Sequence, residues 1–279
     1  MKKKYLFIFL SLFLFILSAC SSSSGESLQK EENQQNQSVT LRIGASSTPH
    51  AEILEFIKPT LKKEGINLDI QTITDGIQTN ESTANGELDA NFFQHTPFLK
   101  QTNKDSGLNL VKVEGIHIEP FGVYSKKVNS IKNLKKGAII ALLPNDPVNF
   151  SRALELFDAN QIIELDKGDA QNKQFTLEDI KKNPRELEFI KVDGPLLPRS
   201  LDDVDAAAIN TNYALEAKLN PKEDALIIED DHSPYVNILV SRQNNKDADS
   251  IQKLAKALTT EEVKTFINEH YKGAVVPVF

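Results

Sequence analysis

Cysteine is almost absent from this 279-residue sequence, and the one present is Cys20. A disulfide framework and a multi-cysteine metal site are therefore excluded. Basic residues are in deficit, with 32 Lys+Arg against 39 Asp+Glu and a formal charge of −7. An acidic surface repels phosphate backbones, so nucleic acid is not an expected partner. The longest apolar run, Tyr5 to Leu17 broken only by Ser11, falls short of the roughly 20 residues that a membrane-crossing helix needs. Catalytic signatures are missing as well. There is no G-x-S-x-G, no G-x-x-x-x-G-K, no G-x-G-x-x-G and no H-E-x-x-H, so no catalytic residue, resident metal or cofactor is expected.

What is present begins with a leader. Lys2, Lys3 and Lys4 precede the apolar run, and Leu17-Ser18-Ala19-Cys20 follows it. Charge, apolar stretch and small residues in that order read as a secretory signal over residues 1–19. Leu-Ser-Ala-Cys resembles a bacterial lipobox, which implies cleavage before Cys20 and fatty-acid attachment, palmitate included, at that residue. Residues 20–38 then read as a tether. Leu28 is the only large apolar side chain among residues 21–38, too little to offset the entropy of ordering. Such a stretch spans roughly 20–25 Å on average, from about 5–6 Å × √n. The expected location is the outer face of a bacterial cell membrane, with the chain held by lipid rather than by a spanning helix.

From Val39 onward the pattern is globular. Val39, Leu41 and Ile43 alternate with polar residues, which predicts a strand over 39–45. Ile53, Leu54, Ile57 and Leu61 recur at helical spacing, and Pro59 is expected to bend or split that helix. Strand patterns at 89–93, 108–113, 117–125, 138–143, 186–192, 205–209, 225–228 and 235–241 are separated by helical ones at 149–158, 176–182, 211–219, 248–258 and 260–270. This alternation predicts an α/β protein with mixed, mostly parallel sheets. The polar segments 125–137 and 229–234 read as crossings between two lobes. One lobe would be 39–125 plus 235–279, the other 126–234, with hinge closure on a ligand between them.

Three polar clusters are candidates for that ligand site. Asn145-Asp146-Pro147-Val148-Asn149-Phe150-Ser151-Arg152 joins a strand to a helix. Asn149 as N-cap would place Arg152 in the first turn, where it could help backbone N–H groups hold an anion. A local ion pair with Asp146 or another carboxylate is the alternative. Asn91-Phe92-Phe93-Gln94-His95 sets aromatic rings beside an imidazole, and Asn210 follows an apolar strand at its carboxyl end. His117 and Glu119 are two apart on a strand and share a face. They read as a pocket-wall pair, or with His95 and His232 as a cation site.

Long blocks then resemble a known family. PHAEILEFIKP at 49–59, GELDANFFQH at 86–95, HIEPFGVYSKK at 117–127, LPNDPVNFSRAL at 143–154, LPRSLDDVDAAAINTNYALEA at 197–217, SPYVNILV at 233–240 and the closing KGAVVPVF resemble methionine-binding lipoproteins of the MetQ/NlpA type. The resemblance implies a two-lobed, type 2 periplasmic-binding-protein fold that closes over an amino acid. It implies delivery to an ABC importer, with a permease and an ATPase as partners. By residue, it implies that Arg152 binds the ligand carboxylate beside Asn149. Asn210 and Asn237 would contact its amino and carboxyl groups, and Phe93 and His95 would wall its side chain. Gly76, Phe92, His117, Glu119 and Tyr235 are expected just behind. Many relatives carry tyrosine where Gly76 stands, and Phe150 replaces a residue that is usually not aromatic. The implied ligands are thus L- or D-methionine, a methionine-containing dipeptide or another apolar amino acid. A metal importer's binding lipoprotein, a surface enzyme and an adhesin are the alternatives from other classes.

Overall fold

In β1 (Val39–Ala45), alternation buries Leu41, Ile43 and Ala45 against the first helix. The computed structural model describes residues 38–168, 173–230 and 233–279. The leader, Cys20 and the tether lie outside the described residues, as does His232. After a wide helical turn at 47–51, α1 (Glu52–Lys63) buries Ile53, Leu54, Ile57 and Leu61 on one face. It runs on through Pro59, which is exposed. Water can take the Glu55 carbonyl that loses its intrahelical partner there, so the helix is not split.

β2 (Ile66–Thr72), α2 (Gly76–Asn85), β3 (Ala90–His95), α3 (Thr96–Ser106) and β4 (Leu110–Ile118) complete the first pass. The chain then enters a second sheet. β5 (Gly122–Tyr124), β6 (Ile139–Leu142), α4 (Pro147–Ala159), a small ribbon of β7 (Glu164–Leu165) and β8 (Ile180–Lys182), and β9 (Glu188–Lys191) come first. α5 (Leu197–Ser200), β10 (Ala206–Ile209), α6 (Thr211–Glu216), α7 (Pro221–Asp224) and β11 (Ala225–Ile228) follow. The return is made by β12 (Val236–Arg242), α8 (Asp249–Leu258), α9 (Glu261–Tyr271) and β13 (Val276–Pro277).

The first sheet has six strands in the order β13-β4-β12-β3-β1-β2, and the second has five in the order β11-β5-β10-β6-β9. β1 is parallel to β2 and β3, and β6 is parallel to β9 and β10. β12 inserts antiparallel between β3 and β4, and β5 lies antiparallel between β10 and β11. The sheets are therefore more antiparallel than the strand–helix alternation implied, because each is entered by a strand arriving from the other. Each sheet has its own core. Ile43, Phe92, Leu239 and Leu254 belong to one, and Phe121, Ile140, Leu154 and Phe157 to the other.

Two expected elements differ. The run 117–125 is two strands, because Pro120 lacks the N–H that a continuous ladder requires. β5 consequently pairs in the second sheet, and the first crossing falls at 119–121 rather than at 125–137. The segment 176–182 is one helical turn (Leu177–Asp179) followed by β8, not a helix. The return crossing occupies 229–235, between β11 and β12.

Candidate functional site

α4 starts one turn earlier than the sequence suggested. Asp146 is its N-cap and accepts the Asn149 N–H at 3.0 Å, with Pro147 in the first position. Asn149 is thus inside the helix, and Arg152 stands beyond the first turn. Arg152 forms a side-chain pair with a carboxylate, the alternative its position left open. Arg152 Nε donates to Glu229 Oε1 at 2.7 Å and Nη2 donates to Glu229 Oε2 at 2.5 Å. Nη2 also donates to the Glu119 carbonyl at 2.9 Å, and Nη1 to Asn149 Oδ1 at 3.3 Å. A guanidinium has five N–H groups. Among the described residues, four are engaged, leaving one on Nη1.

This pair sits at the junction of the two sheets. Glu119 belongs to the outgoing crossing and Glu229 to the return, so Arg152 binds both connections at once. The Phe121 N–H also donates to Glu229 Oε2. The side chains are 3% and 14% exposed, so the interaction is largely sheltered from water. Tyr235 lies over the guanidinium with 4.1 Å from Cζ to the ring centre, and Phe121 lies 5.2 Å away.

Groups from the first sheet face this cation. His95 Nε2 is 3.2 Å from Asn149 Oδ1, and its ring meets Tyr235 edge-on at 5.0 Å. Burial, reinforced by the Arg152 charge, pushes the His95 pKa down to about 3. The ring is therefore neutral near pH 7 and donates from Nε2, while Nδ1 accepts the Phe98 N–H at the start of α3. Gln101–Gln174 and Ser47–Glu216 are further contacts between the two bodies.

Asn237 occupies the centre of a row across the first sheet. It is paired with His95 on β3 and with His117 on β4. Its Oδ1 is 3.1 Å from His50 Nε2. That same nitrogen is 3.3 Å from Glu119 Oε1, which His117 Nε2 approaches to 2.8 Å. The donor atoms of His50, His117 and Glu119 lie within 4.8 Å of one another and are engaged with each other. Burial lowers the pKa of His50 to about 4 and of His117 to about 3, and raises that of Glu119. The expected pair thus forms a hydrogen-bonded triad with His50. His95 is not part of it, which removes one ligand from the expected cation site. His50 was not anticipated as a site residue, although it lies in a motif block whose polar member on an apolar helix face was a usable signal.

The remaining expected residues surround this network. Phe92 is fully buried beneath it, with its ring 4.7 Å from His50 and 5.5 Å from His117. Phe93 is half-buried and covers Gly76, where a Cβ would stand 2.7 Å from Phe93 Cε2. Asn210 stands apart from this chain of contacts. It precedes α6 without capping it, and its Oδ1 is buried without a partner among the described residues. The arrangement offers neutral imidazoles, amides, aromatic faces and one compensated cation, a set suited to holding a small polar molecule. Two surface depressions, lined by residues around Asp158 and around Phe56, contain none of these groups.

A family profile described as NlpA lipoprotein matches residues 41–279. Methionine-binding lipoprotein MetQ of Bacillus subtilis (strain 168) is 40% identical over 240 residues, covering 85% of this chain and 87% of that protein. D-methionine-binding lipoprotein MetQ of Yersinia pestis is 37% identical over 239 residues, covering 85% and 87%. A solved structure of a nutrient binding protein from Burkholderia cenocepacia bound to methionine is 41% identical. It superposes with a TM-score of 0.82, covering 86% of this chain and all of that one.

Proposed function

The chain belongs to the NlpA lipoprotein family, and from that membership we propose that it captures methionine or a close analogue between its two sheets for an ABC importer. The carrying observation is the buried Arg152. It sits on α4 of the second sheet, bonds both crossings, and lies against Tyr235 and the Asn149–His95 contact. A ligand carboxylate would take the remaining Nη1 N–H of Arg152 and the amide N–H of Asn237. Phe93 and His95 would border the thioether, which aromatic edges favour. Asn210 Oδ1, buried and without a partner among the described residues, would accept from the ammonium.

Lobe 1 would be the body built on residues 39–118 and 236–279, and lobe 2 the body built on 122–228, hinged at 119–121 and 229–235. Ligand binding would favour the closed arrangement through its differential affinity for it. The protein would perform no chemistry on the ligand and would hand it to the permease and ATPase. Among the described residues, no helix is long and apolar enough to cross a membrane. Lipid on Cys20 would hold the protein at the outer face of the membrane.

Mass spectrometry of the molecule released by denaturing protein purified without added amino acids tests the reading. A methionine-class compound is expected, and its absence together with no calorimetric response to L-methionine, D-methionine or methionyl dipeptides would refute it. Arg152→Ala should weaken binding by about 3 kcal/mol, since a desolvated carboxylate loses its cation. Near-native affinity in that variant would reject Arg152 as the anion contact.

A further inference from the structure

The hydrogen-bonded triad beneath the cleft does more than fill space. Three acceptors or donors converge on His50, and their identities fix its tautomer. Nε2 faces two oxygens, Asn237 Oδ1 at 3.1 Å and Glu119 Oε1 at 3.3 Å. Two acceptors on one ring nitrogen require that nitrogen to carry the proton. Nδ1 is then an acceptor, and the Ser46 hydroxyl, 2.6 Å away, donates to it. His117 follows the same rule. Its Nδ1 is buried without a partner among the described residues. An unpaired acceptor lone pair there is less costly than an unpaired N–H, so the proton belongs on Nε2, donating to Glu119. Proton positions along Ser46–His50–Glu119–His117 are thereby settled by the atoms that face one another.

The consequence falls on Asn237. An amide can present either its oxygen or its NH₂ to a ligand, and the two are almost identical in shape. Turning the Asn237 amide over would aim its NH₂ at a nitrogen that already carries a proton, and that proton is held there by Glu119. His50 thus locks the oxygen inward. We infer that His50 is a positioning residue that holds the Asn237 amide so that Nδ2 donates into the cleft, selecting a ligand terminus that accepts hydrogen bonds, a carboxylate, over one that donates them, a carboxamide. This rests on the reading of the protein as a methionine binder, and it adds the device that reads the ligand's carboxyl end.

The test compares methionine with methioninamide by titration calorimetry on the full-length protein. The parent protein should prefer methionine strongly. His50→Leu removes the lock, and the freed amide can turn its oxygen to the carboxamide, so the preference should fall at least tenfold. His50→Gln, which can again donate to Asn237 Oδ1, should restore part of it. A packing role alone would weaken both ligands equally, and an unchanged ratio in His50→Leu overturns the inference. If Leu at position 50 prevents folding, as judged by circular dichroism, His50→Phe serves instead. It keeps a ring against Phe92 and removes the N–H that faces Asn237, so a fall in the ratio supports the inference and an unchanged ratio overturns it. A parent protein that takes up no methionine overturns the functional reading, and the inference with it, before any variant is compared.

Discussion

Replacing Glu229 by alanine should expose what the Arg152 pair does for the fold. The carboxylate accepts two charge-assisted bonds from Arg152, at 2.7 and 2.5 Å, and a third from the Phe121 N–H at 3.1 Å. With the guanidinium side chain only 3% exposed, water cannot readily replace the lost partner. Breaking a buried pair from one side costs about 3–5 kcal/mol. The lower end applies, about 3 kcal/mol, because Arg152 retains Asn149 Oδ1 and the Glu119 carbonyl. For a domain of this size that corresponds to a fall in Tm of about 6–12 °C. Urea unfolding and thermal scanning would measure it. Methionine should raise the Tm of Glu229→Ala more than that of the parent, since a bound carboxylate supplies the missing anion. A loss below about 1 kcal/mol, the range of an exposed ion pair, would refute the claim that this pair is buried and structurally committed.

Gly76→Ala places a Cβ 2.7 Å from Phe93 Cε2. The overpacking should cost about 1–3 kcal/mol and alter methionine affinity, and Phe93→Leu should relieve it. Additive effects in the double variant, read by urea midpoints, would show that the two positions do not meet. Acid stability offers another check. The His95 pKa of about 3 lies below the ordinary value near 6.5, so on acidification the unfolded chain takes up the proton first. Stability is full above about pH 6.5 and declines towards pH 3 by about 1.4 kcal/mol per pH unit for this group. His95→Asn should make the decline between pH 6 and 4.5 shallower by about one proton, and equal slopes would contradict the burial of a neutral imidazole. Glu119, whose pKa is raised, works in the opposite sense in both proteins and cancels in the comparison.

Much of the fold was legible wherever an apolar face met a core. β1 and α1 announce themselves through Leu41, Ile43, Ile53, Leu54, Ile57 and Leu61. α2 does not, because its buried face is Thr79, Asn80 and Thr83. Asn80 and Thr83 bond Asn91 and Gln94 beneath the sheet, and a polar face leaves no hydrophobic period to detect. The start of α4 was misplaced because Asp146 and Asn149 are both competent caps, and only Pro147 in the first position decides between them. Arg152, Asn149, His95, Tyr235 and Asn237 were expected together and are linked in one network. Glu229 and His50 were not foreseen as their partners. They stand 77 and 187 residues from Arg152 and Asn237, and nothing local in the chain reveals such pairings.

The position of β12 has a consequence for biosynthesis. It is a central strand of the first sheet, yet it is made after the whole of the second. While the polypeptide is still emerging from the ribosome or threading through a translocase, β3 and β4 lack the neighbour that lies between them, and β13 is the last edge to arrive. The interior body, continuous in the chain from Gly122 to Ile228, can mature first. The outer body, assembled from both ends, must wait for its final residues, so a nascent chain stalled before Val236 would expose the flanks of β3 and β4 to chaperones.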